Sequence, residues 1–281
     1  MLSYRHAFHA GNHADVLKHF VLMQVLHYFN QKDKPYWIID THAGAGLYTL
    51  SSGFSAKNAE YETGIKRLLV AQHLPEELKK FTQLIQSFNA NNKLELYPGS
   101  PTIAQKLIRR DDKLRLFELH PSDFKLLSEN FASKSKQTNI EMQNGFAGVK
   151  ACLPPPPKRA VILIDPPYEL KEDYQLVVKC MQDSLQRFAT GTYLIWYPLL
   201  QRPEPLNMVS ALKSLCPNNY LDVTLSVQAP ADDGFGMFGS GMFIVNPPYT
   251  LPNILNETLP TLTKLLAIDE NAEHTLASQI T

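Results

Sequence analysis

The chain has 281 residues, of which 44% are hydrophobic and 19% are charged. These proportions are those of a folded globular protein, and they exclude a chain that is disordered over most of its length. Lysine and arginine number 27, as do aspartate and glutamate, so a polyanionic partner would have to meet a local basic patch. No apolar run has the length needed to span a bilayer, and we expect a cytoplasmic protein without membrane association.

The cysteines and histidines do not form a metal-binding or disulfide pattern. Cys152, Cys180 and Cys216 are widely spaced and odd in number, which is typical of a reducing compartment. The first residues carry Arg5 instead of an apolar core, so we expect no secretory signal. Four histidines stand near the start of the chain: His6, His9, His13 and His19. No cysteine lies near them, and we expect histidines of an arm or a core rather than a metal site.

The first predicted element is a helix. Residues 1–13 lack periodicity and indicate an arm rather than a packed element. Apolar residues at helical spacing predict a helix over 14–30 that packs one broad face, with Asn12 as its N-cap. Lys18 and His19 fall near the start of this helix, where an exposed end could meet a ligand.

A nucleotide-type βα unit follows. Residues 36–40 predict a strand that runs into the small-residue loop 41–46, THAGAG. Gly44 and Gly46 would let the backbone approach a ligand, although a tight turn would explain them equally well. The loop matches neither the dinucleotide fingerprint nor a phosphate-binding P-loop.

The interval after this loop predicts helices over 60–72 and 78–88, before residues 97–101 return the chain to the core and a helix begins at 102. The next acid at a strand end is Glu118. The predicted boundaries are 1–46 and 94–268 for the core, 47–93 for a helical insertion, and 269–281 for a polar tail without assigned structure.

The remaining units alternate between helices and strands. Helices are predicted over 122–131, 146–153, 171–188, 206–215 and 251–266, and strands over 139–143, 161–164 and 193–197. Residues 220–227 and 242–245 predict an antiparallel hairpin across a glycine-rich loop. Five βα repeats followed by such a hairpin predict an α/β, Rossmann-like class I methyltransferase, with a seven-stranded, mostly parallel sheet and a helical insertion.

Candidate ligand groups follow the first four parallel strands, in the order Gly44 and Gly46, Glu118, Asn144 and Asp165. The carboxyl ends of such strands share one edge of a sheet. This order suits S-adenosylmethionine: the glycine backbone would meet its amino-acid part, and Glu118 would accept its ribose hydroxyls. The side-chain oxygen of Asn144 would accept a hydrogen bond from its adenine amine.

The fourth strand ends in Asp165-Pro166-Pro167-Tyr168. The prolines would end a strand in any case, but the motif also suits transfer of a methyl group to an adenine amine. The Asp165 carboxylate and the Pro166 carbonyl would accept the two amine hydrogens and make the nitrogen lone pair available. Tyr168 would stack on the extruded base, and no metal is required.

A second copy of the motif, Asn246-Pro247-Pro248-Tyr249, follows the last strand of the hairpin. Its antiparallel strand would end at the opposite edge of the sheet from the cofactor groups. We therefore predict that this copy only terminates a strand.

Six blocks of the sequence resemble the bacterial RlmJ family, whose members are 23S ribosomal RNA adenine-N6 methyltransferases. They are residues 1–6, 8–19, 40–46, 97–101, 118–123 and 163–169. The resemblance implies a Rossmann-like core with a helical insertion, 23S ribosomal RNA as partner, and Asp165 as the catalytic acceptor. It also implies S-adenosylmethionine contacts by His19, His42, Ser100, Glu118, Asn144, Gly145 and Asp165.

The resemblance further implies that Tyr4 contacts the RNA. Arg5 and Lys18, together with Lys34, Arg109 and Arg110, are candidates for contacts to RNA phosphates, and ordinary solvated charge is the alternative. The family commonly has Asp where this chain has Asn144. Because Asn keeps an acceptor oxygen but lacks the charge, this departure predicts weaker cofactor binding.

Three hypotheses for the function remain open. The first is methylation of an adenine N6 in ribosomal RNA by a monomeric enzyme. The second keeps the chemistry but uses DNA adenine or protein glutamine as acceptor. The third is a non-catalytic binding or DNA-uptake protein that retains the cofactor fold, and the Asp165→Ala change would discriminate it from the enzymes.

Overall fold

A computed structural model describes residues 6–50, 59–90, 93–132 and 136–280. The strands in these ranges are β1 (Trp37–Asp40), β2 (Leu47–Thr49), β3 (Leu96–Pro98), β4 (Lys113–Phe117), β5 (Thr138–Glu141), β6 (Ala160–Ile164), β7 (Thr192–Leu199), β8 (Asn219–Ser226), β9 (Gly239–Val245) and β10 (Glu273–Ile280). The helices are α1 (His13–Asn30), α2 (Ile65–Val70), α3 (Glu76–Gln86), α4 (Ser100–Leu107), α5 (Pro121–Asn130), α6 (Gly145–Cys152), α7 (Lys171–Arg187), α8 (Pro203–Leu215) and α9 (Leu251–Leu266), with 3-10 turns at His6–Phe8 and Glu60–Glu62.

The main sheet has the order β10-β8-β9-β7-β6-β1-β4-β5. Strands β5, β4, β1, β6 and β7 are parallel, and β9 runs antiparallel between β7 and β8. This arrangement confirms the predicted βα repeats and the closing hairpin. The order reverses between β1 and β6, where ligands bind in open α/β sheets.

The sheet has eight strands rather than the predicted seven. Strand β10 pairs with β8 over its whole length, from Glu273 opposite Ser226 to Ile280 opposite Asn219. The tail, to which the sequence analysis assigned no structure, therefore forms a strand over these residues. The side chains of β10 are mostly exposed, and its sequence therefore resembles that of a polar tail. Its backbone nevertheless hydrogen-bonds to β8.

Helices cover both faces of the sheet. One apolar core lies under α1, α3, α4 and α9, and a second lies under α6, α7 and α8. All five residues of β6 are buried, as expected for a central parallel strand. This burial gives the loop after β6 a rigid base.

Helix α1 lies in the centre of the first core. Asn12 caps it, since its Oδ1 accepts hydrogen bonds from the N–H groups of Ala14 and Asp15 at 3.0 Å, as predicted. Fourteen of its 18 residues are buried, so the expectation of one packed face is wrong. Ala10 and Gly11 are buried as well, and the described part of the predicted arm is therefore packed.

The segment between β1 and β4 contains more than helices. Strands β2 and β3 form an antiparallel ribbon, which the sequence analysis missed. The helix predicted over 60–72 is divided into a 3-10 turn and α2, because the chain approaches the backbone of Gly11 at Gly64. A Cβ at Gly64 would lie 2.0 Å from the Gly11 carbonyl oxygen.

Within the described ranges, no helix is both long enough and apolar enough to cross a membrane.

The burial of β6 predicts that its core residues dominate stability. We expect Ile162→Ala to lower the free energy of unfolding by about 2–5 kcal/mol, because Ile162 is fully buried and its removal leaves a cavity. Leu206→Ala is the control, since Leu206 is 67% exposed and should change stability by less than about 0.5 kcal/mol. Urea unfolding of both variants measures this, and equal losses would contradict the assignment.

Candidate active site

A cavity of about 220 Å³ opens at the carboxyl ends of β1, β4, β5 and β6. Parallel pairing places these ends together, with Asp40 of β1 opposite Leu116 of β4 and Leu163 of β6. The residues predicted to contact the cofactor that line this cavity are His19, His42, Gly44, Ser100, Glu118, Asn144, Gly145 and Asp165. The structure thus brings together groups that lie up to 146 positions apart in the sequence.

The loop after β1 is shaped by its glycines. Gly44 has φ 59°, and a Cβ on it would lie 2.3 Å from the Tyr48 hydroxyl oxygen. Only glycine suits such a position. Gly46 does not line the cavity. Its carbonyl instead accepts hydrogen bonds from Gly99 N at 2.8 Å and from Thr102 Oγ1 at 2.6 Å, and these fix the loop.

Gly145 permits a second close approach. A Cβ there would lie 1.8 Å from the Thr41 carbonyl oxygen, so the first turn of α6 can pack against the β1 loop only because residue 145 is glycine.

The Glu118 carboxylate is held by two backbone groups. Oε2 accepts a hydrogen bond from Gly44 N, and Oε1 accepts one from His120 N, both at 2.7 Å. Burial raises the pKa of Glu118, while these bonds favour its ionised form. A carboxylate oxygen accepts more than one hydrogen bond, so the fixed group can also accept from hydroxyls in the cavity.

Asn144 caps helix α6. Its Oδ1 accepts hydrogen bonds from the N–H groups of Phe146 at 2.9 Å and Ala147 at 3.4 Å. This is the oxygen that the sequence analysis assigned to the adenine amine. The cap therefore competes with that role, and the other terminal atom of the amide, Nδ2, is a donor.

Two histidines of the cavity are neutral. Burial lowers the pKa of His19 to about 3 and that of His42 to about 4. Nδ1 of His19 lies 2.8 Å from the Tyr97 hydroxyl, and Nε2 is buried without a hydrogen-bond partner among the described residues. Nε2 lies 3.8 Å from Asp15 Oδ1, which is too far for a hydrogen bond, so a ligand in the cavity could supply the missing partner.

Asp40, which the sequence analysis did not assign, holds two residues that line the cavity. It is 2% exposed, and its carboxylate accepts hydrogen bonds from Ser100 Oγ at 2.6 Å and from His42 N at 3.2 Å. Burial raises its pKa to about 6. The sequence did contain a signal for this residue, namely an acid at the end of an apolar strand. A carboxylate buried there requires hydrogen-bond donors nearby.

Asp165 is held in a network of buried charges. Lys18 Nζ lies 2.5 Å from Asp165 Oδ2 and 3.0 Å from Asp15 Oδ1. His6 Nε2 lies 2.9 Å from Asp15 Oδ2. Burial alone would raise the pKa of Asp15, but the charges of His6 and Lys18 outweigh burial and hold this pKa well below its ordinary value.

This network corrects the expectation for Lys18. Its side chain is only 5% exposed and is paired with two carboxylates, so it does not belong to an exposed patch for phosphates. Arg109 is likewise engaged, since its Nε lies 3.0 Å from Asp112 Oδ2. Tyr4 and Arg5 lie outside the described residues.

A second cavity, also of about 220 Å³, lies on the other side of Asp165. Four residues line both cavities: His6, Lys18, Asp165 and Pro167. The second cavity is also lined by Trp196 and Met237, which the sequence analysis missed because no motif marks them. Pro166 lines only the first cavity.

Tyr168 lines the second cavity from a strained turn. It has φ 52°, a conformation that costs a non-glycine residue about 1–3 kcal/mol. Its hydroxyl donates a hydrogen bond to the Trp196 carbonyl at 2.7 Å, and its ring lies 4.5 Å from that of Tyr174. Its role in stacking on a base stays a prediction.

Of the other two histidines near the start of the chain, His9 pairs with a carboxylate and His13 does not hydrogen-bond through its buried Nδ1 to any described residue. His9 Nδ1 lies 3.0 Å from Glu60 Oε1, while His13 is largely buried and burial lowers its pKa to about 4. Across the parts of the chain that the structure describes, no group of three or more His, Cys, Asp or Glu is placed to hold a metal.

The second Pro-Pro-Tyr motif lies at the opposite edge of the sheet. Val245 at the end of β9 pairs with Tyr193 at the start of β7, which confirms the predicted direction. Asn246 Nδ2 donates hydrogen bonds to the carbonyls of Ala189 and Gly191 at 2.8 and 2.7 Å. These bonds tie a turn together, as expected of a strand terminator.

The sheet order and the ligand groups at its carboxyl edge define a Rossmann-like methyltransferase. The family model described as "Ribosomal RNA large subunit methyltransferase D, RlmJ" matches residues 33–277, and the chain belongs to this family. It is 48% identical over 267 residues to a Haemophilus influenzae protein and 46% identical over 262 residues to an Escherichia coli K12 protein, both named "Ribosomal RNA large subunit methyltransferase J".

These alignments cover nearly all of each chain. The first spans 95% of this chain and 94% of the relative, and the second spans 93% of both. A crystal structure of a Legionella pneumophila protein superposes with a TM-score of 0.90 at 32% identity, over 97% of this chain and 100% of the other.

The raised pKa of Asp40 predicts a pH dependence of stability. The native carboxyl titrates near pH 6 and the unfolded one near 3.8. Between these values the native state binds more protons, so the contribution of Asp40 to the free energy of unfolding falls as pH rises from about 4 to about 6. We expect Asp40→Asn to gain roughly 3 kcal/mol relative to the wild type between pH 4 and 7.5.

Urea unfolding at several pH values measures this difference. Asp111→Asn is the control, because Asp111 is exposed and its substitution should leave the wild-type pH dependence unchanged. If the free energy of unfolding of Asp40→Asn depends on pH as that of the wild type does, Asp40 is not a buried carboxyl with a raised pKa.

Proposed function

We propose that this protein transfers a methyl group from S-adenosylmethionine to the exocyclic N6 amine of an adenine in 23S ribosomal RNA. The observation that carries the proposal is that two cavities meet at Asp165. One can hold a methyl donor and the other an extruded base, with the carboxylate at the junction. Such a division suits enzymes that act on a base, which must be taken out of its stack.

The residues of the first cavity fit S-adenosylmethionine. The β1 loop presents backbone where a Cβ at Gly44 would not fit, and Glu118 is fixed with capacity to accept from ribose hydroxyls. His19, whose Nε2 makes no hydrogen bond among the described residues, is a polar group of the cavity suited to the amino-acid part of the cofactor. When bound, the cofactor would supply a methyl group made electrophilic by its positively charged sulfonium.

The protein's own contribution is to activate the amine. An adenine N6 is a weak nucleophile because its lone pair is delocalised into the ring. Lys18 engages Asp165 Oδ2, so the other carboxylate oxygen can accept one N–H hydrogen of the amine. The amine would reach from the second cavity to the junction at Asp165, where the carbonyl of Pro166, a residue of the first cavity, would accept the second hydrogen. The nitrogen lone pair would then point at the methyl group.

The N–C bond would form as the donor's S–C bond breaks, so the departing thioether would be neutral and the positive charge would pass to the amine nitrogen. The Asp165 carboxylate would stabilise this charge and hold the proton that the product releases. Lys18 keeps the carboxylate oriented, because its Nζ is itself anchored by Asp15. Burial of the pair, at 5% and 13% side-chain exposure, strengthens this orientation by excluding water.

The substrate is supported by the relatives, both of which are named for the large-subunit ribosomal RNA. Neither name favours DNA, protein glutamine or a non-catalytic role. An enzyme for this RNA would act in the cytoplasm.

Asp165→Asn is the most direct test of the acceptor. The amide keeps the shape but loses the charge, so we expect kcat for methyl transfer to fall at least about 100-fold. Transfer of a radiolabelled methyl group to 23S RNA from a deletion strain measures this, and the circular dichroism spectrum of the variant shows whether the fold is intact. Glu257→Gln, at an exposed position on α9, is the matched control, and equal activity of the two variants would exclude Asp165 as acceptor.

Asn144→Asp tests the departure from the family. Aspartate caps a helix as well as asparagine does, and its second carboxylate oxygen would add an acceptor where Asn144 has the donor Nδ2. We expect the dissociation constant for S-adenosylmethionine to fall severalfold while thermal stability changes little. Asn256→Asp, exposed on α9, is the control. Unchanged or weaker cofactor binding in Asn144→Asp would show that this residue does not contact the adenine.

A further inference from the structure

The loop between β8 and β9, residues 227–238, lies at the edge of the sheet that carries the active site. Its last residue is anchored there, since Phe238 N donates a hydrogen bond to the carbonyl of Leu199 at the end of β7, at 3.2 Å. Met237 lines the second cavity together with Asp165 and Lys18. The loop therefore reaches the cavity assigned to the target base.

Phe235 projects from this loop two residues before Met237. Its side chain is 80% exposed, more than any other large hydrophobic residue in the described part of the chain. It lies between Gly234 and Gly236, which have φ 74° and 88°, and its N–H is held by the Asp233 carboxylate at 3.0 Å. An aromatic side chain is thus exposed to solvent on the loop that reaches the base cavity, and it makes no contribution to the core.

The charges on the loop indicate which part of a nucleic acid this ring would meet. Asp232 and Asp233 precede Phe235, and residues 227–238 include no lysine or arginine. Two carboxylates repel phosphates, so the loop is unsuited to the RNA backbone. An exposed aromatic ring stacks well on an unpaired base, and the neighbours of an extruded adenine are themselves unstacked.

We propose that Phe235 stacks on the base of a nucleotide adjacent to the target adenine and so holds the RNA while the adenine occupies the second cavity. This inference rests on the proposed function and adds a binding residue for its substrate. Stacking tolerates any base, so Phe235 would recognise that a base is present and unpaired rather than which base it is.

The test uses the full-length protein and fragments of 23S RNA that contain the methylated adenine, either intact or with an abasic site at one neighbouring position. We expect Phe235→Ala to raise KM for intact RNA about tenfold, within the range of base–aromatic stacking, while kcat changes less than twofold. Phe235→Trp should restore KM. Tyr249→Ala is the matched control, because Tyr249 is an exposed aromatic at the opposite edge of the sheet.

The abasic substrates make the test specific. An abasic site on one side of the adenine should raise KM of the wild type about as much as Phe235→Ala does, and it should have little further effect on that variant. The dependence of binding on salt should be the same for wild type and variant, because no phosphate contact is lost.

Several results would overturn the proposal: an unchanged KM for Phe235→Ala, fully additive effects of the variant and the abasic sites, or a dimer in sedimentation that Phe235→Ala dissociates. Failure of the proposed function is a separate outcome, in which the wild type transfers no methyl group to any RNA fragment or to intact 23S RNA.

Discussion

The bridge made by Lys18 between Asp15 and Asp165 is the interaction on which the site depends. It joins the first turn of α1 to the end of β6, elements that lie far apart in the sequence. Removing one partner of a buried ion pair commonly costs about 3–5 kcal/mol, because the remaining charge stays buried and uncompensated. The bridge therefore fixes the carboxylate where the two cavities meet, and His6 completes it from the other side of Asp15.

The rest of the site is arranged around this fixed carboxylate by the parallel sheet. The strand ends place Glu118 on the cavity wall, while Asp40 at the end of β1 holds Ser100 of that wall by a hydrogen bond. Glycines allow the loops at these strand ends to pack closely. His19 and His42 are neutral because they are buried. The positive charge next to the Asp165 carboxylate is that of Lys18, whose ammonium group pairs with both Asp165 and Asp15.

The sequence predicted those parts that depend on local pattern. Apolar periodicity identified α1 and the parallel strands, and the strand ends identified Glu118 and Asp165. Contacts between distant segments were not predictable, because no local signal joins Lys18 to a residue 147 positions away. Strand β10 was missed because its side chains are exposed and polar. All-round burial of α1 was missed because periodicity describes one helix and says nothing of how many neighbours surround it.

The central claim is that Asp165, held between two cavities, directs methyl transfer to an adenine of 23S ribosomal RNA. Mass spectrometry of nucleosides from 23S RNA tests this most directly, in cells with the gene, without it, and without it but supplied with either the wild-type or the Asp165→Asn protein. The account predicts that one N6-methyladenosine disappears with the gene and returns only with the wild type. Its persistence in the deletion strain, or its return with Asp165→Asn, would contradict the account.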